Sequence, residues 1–72
     1  MLNMPKKIRE LKAILRKAGF SSRPGKGSHT VWEYPGLPAT FTLAGNDGDD
    51  ARPYQEQKVR QILKNLKEAQ GE

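Results

Sequence analysis

The stretch Arg23-Pro24-Gly25-Lys26-Gly27-Ser28-His29 gathers more chemistry than any other part of this 72-residue chain. Two glycines around a lysine make a turn whose backbone N–H groups can approach a phosphate. Arg23 and Lys26 add positive charge there, and Ser28 adds a hydroxyl. His29, the single histidine, falls on the second residue of an expected strand. That placement holds a side chain rigidly beside the basic turn, as proton transfer requires. A histidine with its ordinary pKa of about 6.5 is mostly neutral at pH 7 and can accept a proton. A neutral imidazole next to a cationic phosphate cradle suits attack by a ribose 2′-OH on its own 3′-phosphate. The plainer reading is a hairpin turn carrying a surface histidine, and the local sequence allows both.

Other candidates are weaker. Asn46-Asp47-Gly48-Asp49-Asp50 looks like a fragment of an acidic calcium or magnesium loop, but it lacks the bidentate Glu at the twelfth position and the flanking helix. Turn chemistry accounts for Asn, Asp and Gly equally well. Trp32 and Tyr34 share one strand face and could stack bases. In a chain with few aromatics they serve better as core, which puts His29, Val31 and Glu33 on the outer face. No GxxxxGK[ST] loop and no serine or cysteine nucleophile constellation is present. With no cysteine and one histidine, neither a disulfide framework nor a zinc site of the usual kinds can be built. No metal and no cofactor is expected.

Two helices and three strands must position these residues. Pro5 suits a first helical position, and Ile8, Leu11, Leu15 and Ala18, with Ile14 beside them, form one apolar stripe. The spacing predicts a helix over 5–18, with Lys6, Arg9, Lys12, Arg16 and Lys17 on the opposite face. Gly19 is its expected left-handed stop, with Phe20 folding back on the last turn. A second helix is expected from Pro53 or Tyr54 to Ala69, carrying the stripe Val59, Ile62, Leu63 and Leu66. Between them the period changes to two. Strands are expected over 20–23, 28–34 and 39–44, separated by turns at Pro24–Gly27 and Pro35–Pro38 and followed by the acidic loop 45–50. The fold class is therefore α+β, in the order α-β-β-β-α: a three-stranded antiparallel sheet with both helices on one face. The other face stays wet and free to carry a site.

Size and charge agree with that plan. Seventy-two residues, 35% of them hydrophobic, allow one thin core in a single domain over 1–72 and leave no room for a deep substrate cavity. Lys and Arg number 13 against 8 acids, for a net charge of +5. Residues 1–26 hold eight of those cations and one acid, whereas residues 27–56 hold Arg52 against five acids. A basic half beside an acidic loop points to a polyanion on one side of the fold. A solvated helix that keeps a small protein in solution is the plainer explanation. No apolar run approaches the ~20 residues of a membrane span, and MLNMPKKIRE lacks the apolar stretch of a secretory leader, so a cytoplasmic location without membrane contact is expected.

Taken together, a basic amphipathic helix ending in Lys17-Ala18-Gly19-Phe20, the turn Gly25-Lys26-Gly27-Ser28-His29, an aromatic strand and a late helix reading Val59-Arg60-Gln61-Ile62-Leu63-Lys64 resemble the HicA family of toxins from type II toxin–antitoxin modules. The likeness covers about residues 5–67. It implies a double-stranded-RNA-binding-like fold, endoribonuclease activity on mRNA that slows translation, and a HicB-type antitoxin that covers the active site. The family's catalytic histidine maps onto His29, with Gly27 and Ser28 as its motif neighbours. Members commonly carry a Val-Pro-x-His-like stretch after the third strand, where this chain has Leu43-Ala44-Gly45-Asn46. On this reading His29 is the general base of a metal-independent cleavage, and Arg23, Lys26, Lys12 and Arg16 grip the RNA phosphates. The alternative is the same fold binding RNA by shape and phosphate contacts without cutting it.

Overall fold

In the computed structural model, which describes residues 5–71, the elements are α1 (Ile8–Ala18), β1 (Ser21–Pro24), β2 (Thr30–Glu33), β3 (Phe41–Leu43) and α2 (Pro53–Ala69). The strands pair antiparallel in the order β1-β2-β3. The expected α-β-β-β-α arrangement is therefore the one observed. Met1–Met4, part of the stretch read above for a leader, lies outside the described residues.

Cross-strand register decides which residues face inward. Trp32 pairs with Phe41 and Thr30 with Leu43, and Trp32, Phe41 and Leu43 are all buried. They join Ile8, Leu11 and Leu15 of α1 and Val59 and Leu66 of α2 in one apolar cluster, with Ile14, Ile62 and Leu63 partly buried against it. Both helix stripes thus cover the same sheet face, as their periodicity requires. Trp32 is core, as expected, and its indole N–H is satisfied. Nε1 donates to Thr30 Oγ1 at 2.9 Å, and that hydroxyl donates to the Leu43 carbonyl at 3.3 Å. Half-buried Tyr34 packs its ring on Phe20 with centroids 5.3 Å apart. The outer face carries Ser21, Arg23, Val31, Glu33 and Thr42, and Val31 is only half-exposed there.

Helix ends are closed by local chemistry. Gly19, at φ 105°, places its N–H on the Arg16 carbonyl at 3.0 Å, and the Phe20 N–H reaches the Leu15 carbonyl at the same distance. This is the paired bonding of a Schellman stop, with Phe20 as its apolar contact. At the other end Glu10 accepts the Lys7 N–H at 2.7 Å, and Gln55 likewise accepts the Arg52 N–H at 2.8 Å at the start of α2.

Several boundaries differ from the sequence expectation. Helix α1 starts at Ile8 rather than at Pro5, because Lys6 and Lys7 are tied in extended form: Ala51 N–H donates to the Lys6 carbonyl at 2.7 Å, and Lys7 bridges Asp50. Pro24 ends β1 instead of opening the turn, which a strand with a free edge tolerates. Strand β2 starts at Thr30, so His29 belongs to the turn and not to the strand. Strand β3 is confined to Phe41–Leu43, shorter than the expected 39–44.

Candidate active site

The turn between β1 and β2 is built around one carbonyl. Lys26 O accepts the His29 backbone N–H at 2.9 Å and contacts the His29 ring at Nδ1 at 2.8 Å. Gly27 sits at φ 57° in the turn so closed, a conformation glycine adopts without strain. Gly25 N–H donates to the His29 carbonyl at 2.9 Å, and a Cβ on Gly25 would lie 3.3 Å from that same oxygen. Both glycines therefore serve the placement of His29. A carbonyl can only accept, so Nδ1 must carry the proton of the neutral ring. Nε2 is left with its lone pair.

His29 lines a cleft of about 490 Å³ with Lys12, Ser22, Arg23, Pro24, Gly27, Ser28, Thr30, Gly45, Asn46 and Asp47. The cleft lies where the β1–β2 turn, the polar side of α1 and the loop after β3 meet. Five of the seven residues expected at a site, Lys12, Arg23, Gly27, Ser28 and His29, come together there. Lys26 takes part through its backbone carbonyl. Arg16 does not reach the cleft lining; its guanidinium stacks over the Trp32 ring, 5.3 Å from the centroid. Such stacking is a cation–π contact. Arg23 pairs with Glu33 across the outer sheet face, at the register position opposite Val31.

Four polar lining residues, Ser22, Thr30, Asn46 and Asp47, are absent from the sequence reading of the site. Asp47 is the consequential one. Its Oδ1 accepts from Lys12 Nζ at 2.6 Å. The ammonium beside it, through that bond and through its charge, holds the Asp47 carboxyl below the usual carboxylate value of 3.8, and Arg16 and Arg9 add to the effect. The rest of the acidic loop serves α1: the Asp49 and Asp47 carbonyls accept the Ile8 and Arg9 N–H groups at 2.8 and 3.2 Å. Asp50 pairs with Lys7, and the Asp49 carboxylate accepts the Asn46 N–H at 2.9 Å. The loop that resembled a metal site is a cap on a basic helix. Among the described residues, no group of three or more histidines or carboxylates is placed to hold a metal.

A chain of this size, with a basic helix flanking a cleft that holds one oriented histidine on a glycine-lysine-glycine turn, matches the family model described as "HicA toxin of bacterial toxin-antitoxin" over residues 8–70. The match spans every element of the fold. The chain belongs to that family, and so to the toxins of toxin–antitoxin modules, which are held by an antitoxin partner. Among curated proteins and among solved structures, nothing matches the chain. Among the described residues, no helix is long and apolar enough to cross a membrane.

Proposed function

We propose that the chain is an endoribonuclease that cuts mRNA and thereby inhibits translation in the cytoplasm, with His29 as the general base. The supporting observation is the Nδ1 contact to the Lys26 carbonyl at 2.8 Å, which fixes the tautomer and leaves Nε2 able to take a proton. Nε2 removes the proton of a ribose 2′-OH, and the 2′-oxygen attacks the adjacent phosphorus. The bond from phosphorus to the 5′-oxygen breaks, and with no second histidine in the chain that oxygen takes its proton from the Lys26 ammonium or from water. The products are a 2′,3′-cyclic phosphate and a free 5′-hydroxyl. Arg23, Lys26 and Lys12, with the Gly27 and Ser28 backbone, hold the RNA phosphates around the reacting one, and Arg16, outside the cleft lining, meets the strand beyond it. The antitoxin partner is of the HicB type and silences the protein by covering this cleft.

The ribose hydroxyl is the test. RNA carrying 2′-deoxy or 2′-O-methyl at the cleavage position should bind and resist cutting, and cleavage of unmodified RNA should survive EDTA. Normal cutting of the 2′-deoxy substrate, or loss of activity to EDTA, would overturn the mechanism. RNA that is bound with salt-sensitive affinity but never cut would identify a binding module instead.

A further inference from the structure

Lys12 differs from the other cations around the cleft in how little freedom it has. Its side chain is 13% exposed, against 59% for Arg23. The stem lies against protein and the ammonium emerges at the cleft wall, held at 2.6 Å by a carboxylate 35 residues away in sequence. Asp47 is itself anchored, because its carbonyl accepts the Arg9 N–H at 3.2 Å and its loop caps α1. An ammonium has three donors. Asp47 takes one, and among the described residues no other protein acceptor takes the remaining two.

We propose that Asp47 is a positioning residue that holds Lys12 in the cleft as the fixed cation for a nonbridging oxygen of the reacting phosphate. The inference rests on the reading of the cleft as a ribonuclease site. Negative charge grows on the nonbridging oxygens as the 2′-oxygen bonds to phosphorus. A cation already in place there stabilises the transition state without reorganising, which a freely rotating surface lysine cannot do. An acid lining an RNA cleft otherwise opposes binding, so its presence needs a reason. Lys26, on an exposed turn, has no such anchor in the described structure. The competing view is that the pair only fastens the loop to α1.

The two views separate in a double-mutant cycle read as kcat and KM on a short RNA with one cleavage site. Removing a carboxylate from a polyanion site lowers KM on charge grounds alone. If Asp47 positions Lys12, Asp47→Ala lowers kcat as well, by roughly 10–100-fold, the scale of a misplaced catalytic group. Lys12→Met lowers kcat by about 10²–10³. Asp47→Ala added to Lys12→Met then costs nothing further in kcat, because nothing remains to position. An Asp47→Ala protein that cuts as fast as the parent or faster overturns the inference, and so does an undiminished loss in the Lys12→Met background. Parent protein that binds this RNA without ever cutting it overturns the ribonuclease reading, and this inference with it.

Discussion

The β1–β2 turn and the loop after β3 form two walls of one cleft, yet they are held by different means. In the turn every contact is local: the His29 N–H and ring both meet a carbonyl three residues back. In the loop the decisive contacts are distant, Lys12 with Asp47 across 35 residues and Lys7 with Asp50 across 43. The turn orients one ring through its own backbone. The loop orients a lysine and closes the first turn of a helix. Local geometry can be written into a few consecutive residues, and distant geometry needs the whole core to bring its partners together.

The sharpest break of this comparison is His29→Ala. It removes what the turn exists to hold, and cleavage should fall on the order of 10²–10⁴, the range for positioned proton transfer. RNA binding should stay nearly intact, since the proposed phosphate contacts are Arg23, Lys26 and Lys12 rather than the imidazole. A titration showing binding lost in parallel with cleavage would instead make His29 a contact residue.

Trp32→Ala attacks both walls at once. The indole is fully buried, and through Thr30 its N–H ties the start of β2, next to His29, to Leu43, next to the loop. Truncation of a buried aromatic costs about 3–5 kcal/mol. For a domain of 60–100 residues each kcal/mol is about 4–8 °C in Tm, so thermal unfolding measures the effect directly. A loss under about 1 kcal/mol would mean that the walls stand without the core.

How far each wall can be read in the sequence follows from the same difference. The period-two run marks Trp32, Phe41 and Leu43 as inward, and the 3–4 spacing marks Leu11, Leu15 and Val59, because burial follows side-chain direction within one element. His29 is legible as a candidate through its neighbours Gly25, Lys26 and Gly27. Its position in the turn is not, because its own N–H and ring both turn back to the Lys26 carbonyl. The late start of α1 is hidden for a related reason, since the residues that hold Lys6 and Lys7 extended are Ala51 and Asp50. Asp47 is legible only as part of an acidic turn, because the lysine it meets lies 35 residues away in sequence. Arg16 reads as one more cation of a polar face, and only packing reveals Trp32 beneath it.

Paired glycine substitutions sharpen the contrast at smaller scale. Gly27 has φ 57°, and a Cβ there would meet nothing within 4 Å, so Gly27→Ala carries a conformational penalty alone, about 1–2 kcal/mol. It should also slow cleavage, because the Lys26 carbonyl shifts under His29. Gly48, in the other wall, has equally open space and no positive φ. Gly48→Ala should be neutral or stabilising by about 0.4–1 kcal/mol through the unfolded chain. Chemical denaturation of the two variants checks both signs, and equal destabilisation would show that the two walls do not differ in backbone strain.

The smallest effect belongs to acid. Lys12 holds the Asp47 carboxyl below 3.8, so the folded protein keeps this group ionised where the unfolded chain would protonate it. Stability rises with pH wherever the unfolded state binds more protons. The contribution of the pair is therefore fully present above the ordinary carboxylate value of 3.8, and it is lost as pH falls from there through the folded value. Asp47→Asn, which cannot ionise, removes that component. The Tm gap between parent and variant should be constant near neutrality and close below pH 3.8. Because the Asp47 side chain is 66% exposed, solvent and salt screen the pair, and the gap should be modest and shrink with added salt. The turn Gly25–Ser28 contains no carboxylate, so the destabilisation by Gly27→Ala should ignore the same acid range. A gap for Asp47→Asn that persists unchanged into strong acid would show that Asp47 acts through packing alone, and the electrostatic account of this wall would fail.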